Sequence, residues 1–127
     1  MKKRSIAASA LIAMLLAANA LAQAYPNKPV HVVVPYAAGG TVDTVARAYG
    51  IKLGELWGQP VVIDNRAGAG GNIGADAVAK SAPDGYNVML TTQGHAISPG
   101  LYRKLPFDAM KDFSALAQIT SSYRSEE

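Results

Sequence analysis

The stretch from Asn65 to Tyr86, NRAGAGGNIGADAVAKSAPDGY, constrains this chain more than any other. Gly68, Gly70, Gly71 and Gly74 crowd its first half. Glycine reaches positive φ without steric cost, so such a cluster belongs to a loop with special backbone geometry. The small residues that follow predict a helix over about 72–81, with Asn72 a candidate N-cap and Ile73, Ala77 and Val78 facing inward. Its Ala and Gly content suits close packing on a sheet and gives it little stability of its own. Pro83-Asp84-Gly85 then forms a turn: Pro presets φ, Asp bonds locally and Gly takes the left-handed position. Upstream stands a β-branched strand, Val61-Val62-Ile63-Asp64.

The same order of strand, glycine loop and helix occurs once earlier. Val30–Val34 is a nearly all-apolar strand of the kind buried on both faces of a parallel sheet. His31, its one polar residue, reads as a locally bonded strand histidine. A smaller glycine loop, Pro35–Asp43 (PYAAGGTVD), follows. A helix is predicted over 41–57, with Thr41 as N-cap and Asp43 in the favourable first turn. Val42, Val45, Ala46, Tyr49, Leu53, Leu56 and Trp57 form its apolar stripe. Gly50 and Gly54 are poor interior residues, and Gly58 ends the helix. A third strand is expected over 86–92, then a loop at 93–95. A helical turn broken by Pro99 and Gly100 follows within 96–105, and a fourth strand is expected to begin within 112–119. The alternation β-α-β-α-β implies a doubly wound α/β unit with a parallel sheet. In such sheets the ligand crevice lies beyond the C-terminal strand ends, where the loops 35–43, 65–72 and 91–96 arrive.

The first 24 residues have a separate role. Lys2, Lys3 and Arg4 precede the uncharged apolar run Ser5–Leu21, and Ala22-Gln23-Ala24 offers small residues to signal peptidase. This pattern predicts a secretory signal peptide cleaved after Ala24 and export of the remaining chain. Three of the twelve Lys and Arg residues lie in it, which leaves nine bases against nine acids in Tyr25–Glu127. The net charge of +3 therefore belongs to the leader. A formally neutral mature chain carries no nucleic-acid footprint. No cysteine is present, which excludes disulfides, thiolate metal sites and a lipid-anchored cysteine. The mature length suits one modest domain.

Glycine loops that open helices aim backbone N–H groups at the positive end of the helix dipole and so make an anion site. The anion is not a nucleotide phosphate by pattern. No Lys follows Gly74, and Ile73 occupies the third glycine position of a dinucleotide fingerprint. No G-x-S-x-G elbow occurs, the two histidines (His31 and His95) have no partner at a diagnostic spacing, and no metal-ligand pair is present. No cofactor is indicated. A small carboxylate fits best, because neutral backbone donors can hold it and release it reversibly. That property belongs to a transport receptor rather than a catalyst.

Three segments carry a resemblance: YPNKPVHVVVPYAAGGTVDTVAR, GQPVVIDNRAGAGGNIGADAVAKSAPDGYNVMLTT and ISPGLYRKLPFDAMKDF. They closely resemble the extracytoplasmic solute receptors of tripartite tricarboxylate transporters, also called Bug-type receptors. The resemblance spans Tyr25 to about Ile119. It implies a type II periplasmic-binding-protein fold, with two α/β lobes and a ligand trapped between them. It implies small carboxylate ligands, membrane transporter subunits as partners, and no enzymatic activity. It also implies a ligand site drawn from Tyr36, Ala37, Gly39, Gly40 and Asp43 in the first loop and Ala69, Gly70, Gly71 and Asn72 in the second. Thr91, Gln93 and His95 would add a third segment. Capping its own helix and lining the site are compatible roles for Asp43. Such receptors are about three times longer than this mature chain, so residues 25–119 are expected to be part of lobe one, ending in an unrelated polar tail, 120–127. A truncated reading frame explains this most simply. The competing readings are a fragment that binds nothing and a secreted enzyme.

Overall fold

The computed structural model describes residues 25–121. The expected leader and residues 122–127 of the expected tail lie outside them. Seven short elements follow one another: β1 (Val30–Val34), α1 (Thr41–Trp57), β2 (Val61–Asn65), a 3-10 turn (Ala69–Gly71), α2 (Asn72–Ala79), β3 (Asn87–Met89) and α3 (Gly94–Leu101). The three strands form one sheet in the order β2-β1-β3. Both pairings are parallel, with Val30 opposite Val61 through Val34 opposite Asn65, and His31 to Val33 opposite Asn87 to Met89. The expected parallel α/β architecture is therefore present.

β1 is central because its residues tolerate burial on both faces. Val30, Val33 and Val34 are each 4 % exposed or less. From β1 the chain crosses to β2 on one side, then back over β1 to β3 on the other. Right-handed crossovers place the two connecting helices on opposite faces of the sheet. α1 accordingly packs on β1 and β2, and α2 on β1 and β3.

The helices meet the sheet through small residues, not through their largest apolar ones. Asp43, Ala46 and Gly50 are the buried positions of α1. A Cβ on Gly50 would lie 3.2 Å from Ile63 Cδ1 and 3.4 Å from Val61 Cγ1. The glycines that looked out of place in a helix are its seam against β2. That seam turns the apolar stripe aside, so Tyr49 and Leu56, expected in the core, are 46 % and 79 % exposed. α2 behaves alike: Asn72, Gly74 and Ala75 are buried, and Ile73, expected inward, is 54 % exposed. A Cβ on Gly74 would stand 2.8 Å from Pro35 Cβ and 2.9 Å from Pro35 Cα.

Several boundaries differ from expectation. Gly40, not Thr41, is the N-cap of α1, and Gly71, not Asn72, precedes α2. β3 is shorter than 86–92, although the Leu90 N–H still donates to Val33 O. α3 starts at Gly94 and continues through Pro99 to Leu101. Residues 112–119 form no strand. Asp108 accepts from the Met110 and Lys111 N–H groups and closes a turn. Phe113 then packs edge-on against His95 and Phe107, with centroids 4.7 and 5.7 Å apart.

At the other end, residues 25–28 clasp the turn before β3. Tyr25 OH donates to Gly85 O, the Tyr25 and Tyr86 rings meet edge to face, and Lys28 pairs with Asp84.

Two substitutions test the glycine seam. Gly74→Ala should destabilise the chain by about 1–3 kcal/mol, because the methyl meets the backbone of Pro35 and forces a shift. Gly100 has nothing within 4 Å of its Cβ position. Gly100→Ala should be neutral or stabilise by about 0.5–1 kcal/mol, through reduced chain entropy and better helix propensity. Urea midpoints of the two variants would settle the comparison, and equal midpoints would refute it.

Candidate ligand-binding site

The C-terminal ends of the three strands open into three loops: residues 35–40 after β1, 66–71 after β2 and 90–93 after β3. In a 2-1-3 strand order the crevice lies between β1 and β3, where successive connections leave in opposite directions. Tyr36 spans it. Its hydroxyl shares hydrogen bonds with Thr92 Oγ1 (2.8 Å) and Thr91 Oγ1 (3.3 Å), which ties the first loop to the third.

The first loop is fixed from beneath by Asp43, which is 3 % exposed. Its Oδ2 accepts from the Gly39 N–H (2.8 Å) and from Arg47 Nε (2.9 Å), and its Oδ1 accepts from Asn65 Nδ2 (3.0 Å). Arg47 Nη2 donates in turn to Asn65 Oδ1 (3.2 Å), and Asn65 Nδ2 also reaches Tyr36 O (3.3 Å). One carboxylate thus joins the loop, the first turn of α1 and the end of β2. The Arg47 hydrogen bond, then the Gly39 N–H and Asn65, lower its pKa from 3.8 to about 2, against the opposing effect of burial. Gly39 takes φ +84°, which lets the loop fold back onto this carboxylate.

The second loop has four consecutive residues with positive φ: Gly68 (133°), Ala69 (49°), Gly70 (65°) and Gly71 (96°). Ala69 is the one non-glycine with positive φ among the described residues. A left-handed alanine costs roughly 1–2 kcal/mol. Strain of this kind persists where the surroundings over-determine it, and it clusters at ligand sites. The N–H groups of Ala37 and Ala38 in the first loop, and of Ala69 and Gly70 in the second, have no acceptor among the described residues. The arginines nearest these loops are already paired, Arg47 with Asp43 and Arg66 with Asp64. What the loops offer an anion is backbone amide, not charge.

The expected site residues fall into distinct places. Tyr36 and Thr91 are in contact across the crevice. Ala37, Gly39, Gly40, Ala69 and Gly70 are exposed on the loops, and Gly71 is half-buried against Pro35. Asn72 is buried at the start of α2, and Gln93 is exposed at the start of α3. His95 is taken up by its ring contacts with Phe107 and Phe113, and burial lowers its pKa from 6.5. Four further residues were not foreseen. Asn65 and Arg47 complete the Asp43 network, Thr92 gives the shorter bond to Tyr36, and the Tyr102 hydroxyl lies where a Cβ on Gly70 would stand. The i,i+4 spacing of Asp43 and Arg47 was a legible signal for that pair. Nothing local marks Tyr102.

Among the described residues no group of three His, Cys, Asp or Glu could hold a metal ion. No helix among them is long and apolar enough to cross a membrane.

The family model described as the tripartite tricarboxylate transporter family receptor matches residues 45–124, well over half the chain. The chain belongs to this family. Among curated relatives, a UPF0065 protein of Agrobacterium vitis is 45% identical over 118 residues, 88% of this chain and 34% of its own length. Protein BugT of Bordetella pertussis is 40% identical over 106 residues, 82% of this chain and 32% of its own. The receptor-family chain thus spans about a third of the length of the relatives it matches. Among solved structures, the periplasmic binding protein BugD superposes with a TM-score of 0.67 at 42% identity, over 70% of this chain and 30% of its own. MatC from Rhodopseudomonas palustris, solved with bound malate, gives 0.61 at 43% identity, over 70% and 31%. An R. palustris protein solved with adipate gives 0.64 at 44% identity, over 67% and 29%. The fold is that of periplasmic binding proteins.

The Asp43 network sets a pH dependence. A carboxylate whose pKa is depressed on folding adds stability above its unfolded value, and that contribution is lost as pH falls toward the folded value. Stability should therefore decline between pH 4 and about 2. Asp43→Asn should be less stable than the native chain at pH 7, and the difference should shrink on acidification through this window. Thermal unfolding across pH 2–7 checks this. A gap that stays constant would contradict the assigned network.

Proposed function

We propose that this chain is a non-catalytic periplasmic receptor, or the first-lobe portion of one, that takes up small carboxylates for a tripartite membrane transport system. The observation that carries the reading is the pair of glycine loops at the strand ends whose Ala37, Ala38, Ala69 and Gly70 amides have no acceptor among the described residues and whose neighbouring arginines are already paired. Oriented amides at helix starts stabilise an anion through partial charges, and the absence of a strong counter-charge permits fast release. The carboxylates bound by MatC and by the adipate-bound relative support the same ligand class here.

In this reading Tyr36, Ala37, Gly39, Gly40, Ala69, Gly70, Gly71 and Asn72 form the carboxylate cradle. Asp43 shapes it from below, and Thr91 and Gln93 line the third side. His95 contributes through the packing of its ring rather than by direct contact. Residues 25–119 form one wall of the cleft, and Met1–Ala24 direct export.

A second reading has the described residues folding but binding nothing by themselves. Exposed Ile73, Ile97 and Leu101 on α2 and α3 favour it, because apolar surface of this kind is normally covered by further structure. Tight small-molecule sites also bury most of their ligand, which a single wall does not do.

Isothermal calorimetry of the processed chain against succinate, malate, adipate and glutamate separates the two. The proposal expects saturable heat with at least one acid and none with its diamide. No heat with any acid would leave family membership intact and remove the binding function from this chain.

A further inference from the structure

Tyr102 follows the last residue of α3, and its side chain lies on the second glycine loop. Its N–H donates to Ser98 O at 3.0 Å. Ser98 is 3 % exposed, and its hydroxyl donates to Gly94 O at 2.8 Å. These bonds fix where the Tyr102 side chain leaves the helix end. α3 itself packs against the 3-10 turn Ala69–Gly71. The Tyr102 ring reaches that turn: a Cβ on Gly70 would stand on the hydroxyl and 3.4 Å from Cζ. Position 70 therefore excludes a side chain twice, by its φ of +65° and by this hydroxyl.

The fold makes no use of the hydroxyl. It has no hydrogen-bond partner among the described residues, and Tyr102 is 38 % exposed. Tyr102 and Ala69 line one cavity of about 280 Å³ beside the loop. A phenol O–H is a donor, as are the amides of Ala69 and Gly70, which also have no acceptor among the described residues.

Covalent geometry bounds the distance between these donors. A Cβ lies about 2.5 Å from its own backbone N, so a hydroxyl oxygen standing at the Cβ position of Gly70 is within about 5 Å of the Gly70 N. An N–H···O bond of about 2.9 Å and an O–H···O bond of about 2.7 Å together span up to about 5.6 Å between donor atoms. One acceptor oxygen thus has the reach to take both bonds.

We propose that Tyr102 is a ligand-binding residue whose hydroxyl donates to the carboxylate oxygen held by the Gly70 amide. This rests on the carboxylate reading of the glycine loops and extends that site to the end of α3. The hydroxyl adds direction to the amide cradle without adding a fixed charge, so capture stays reversible. Hydrogen bonds to an ionised acceptor are roughly twice as strong as neutral ones, so Tyr102 favours an acid over its amide.

The first test is calorimetry of the processed chain and its Tyr102→Phe variant with succinate, malate and adipate. Loss of a hydrogen bond to a charged group predicts about tenfold weaker binding in the variant, with an unchanged urea midpoint. A loss below about threefold would overturn the assignment and leave the carboxylate reading standing. A loss matched by a lower midpoint would make Tyr102 a structural residue and also overturn it. Failure of every acid to bind the native chain would overturn the assignment together with the carboxylate reading. A second test needs no ligand. Gly70→Ala should lower the urea midpoint less in the Tyr102→Phe background than in the native chain, because the methyl then meets no hydroxyl. An equal drop in both backgrounds would remove the hydroxyl from Gly70 and overturn the proposal.

Discussion

The carboxylate of Asp43 is the interaction on which the site end of this fold depends. Without it, the glycine loop after β1 has one weak backbone bond of its own, from the Gly40 N–H to Ala37 O at 3.4 Å. With it, Gly39, Arg47 and Asn65 are drawn to one buried point. Burying a carboxylate is unfavourable unless its lone pairs are satisfied, and here both oxygens are occupied. The same residue also answers a problem of helix initiation. Gly40 has no side chain with which to cap α1, and the Asp43 carboxylate reaches back from the first turn to the Gly39 amide instead.

Around that anchor the loops are shaped by close approach. α2 lies so near the end of β1 that Gly74 touches Pro35, and the second loop reaches it through four left-handed residues. Three of the four are glycine, for which such angles are cheap, and Ala69 is the exception. The result is a loop whose Ala69 and Gly70 amides have no acceptor among the described residues. On the proposed reading, backbone geometry rather than a side-chain charge holds the anion.

Much of this was legible in the residues. The β-branched runs at 30–34 and 61–64 marked the strands, and the glycine clusters marked the turns at their ends. The alternation of elements was enough to specify a parallel sheet. The family motifs made the receptor assignment accessible from the chain itself, and the family model bears it out. The faces of the helices were misjudged for one physical reason. Periodicity locates the apolar side of a helix, but the closest contact with a sheet is made where side chains are smallest. Gly50 and Gly74 therefore face inward, and Leu56 and Ile73 do not. The expected strand at 112–119 is absent, and Phe113 packs instead edge-on against the His95 and Phe107 rings. The Asn65 and Tyr102 contacts join residues far apart in sequence, and no local pattern encodes them.

The central claim is that backbone amides of the two glycine loops hold a carboxylate. Amide proton chemical shifts, followed by 15N–1H correlation spectra during titration with a small dicarboxylate, test it most directly. The account predicts saturable downfield shifts at Ala37, Ala38, Ala69 and Gly70, which reflect new hydrogen bonds at those N–H groups. It also predicts that the Gly39 amide, already bonded to Asp43, moves little. Saturable shifts confined to other regions, or none at these four amides, would contradict it.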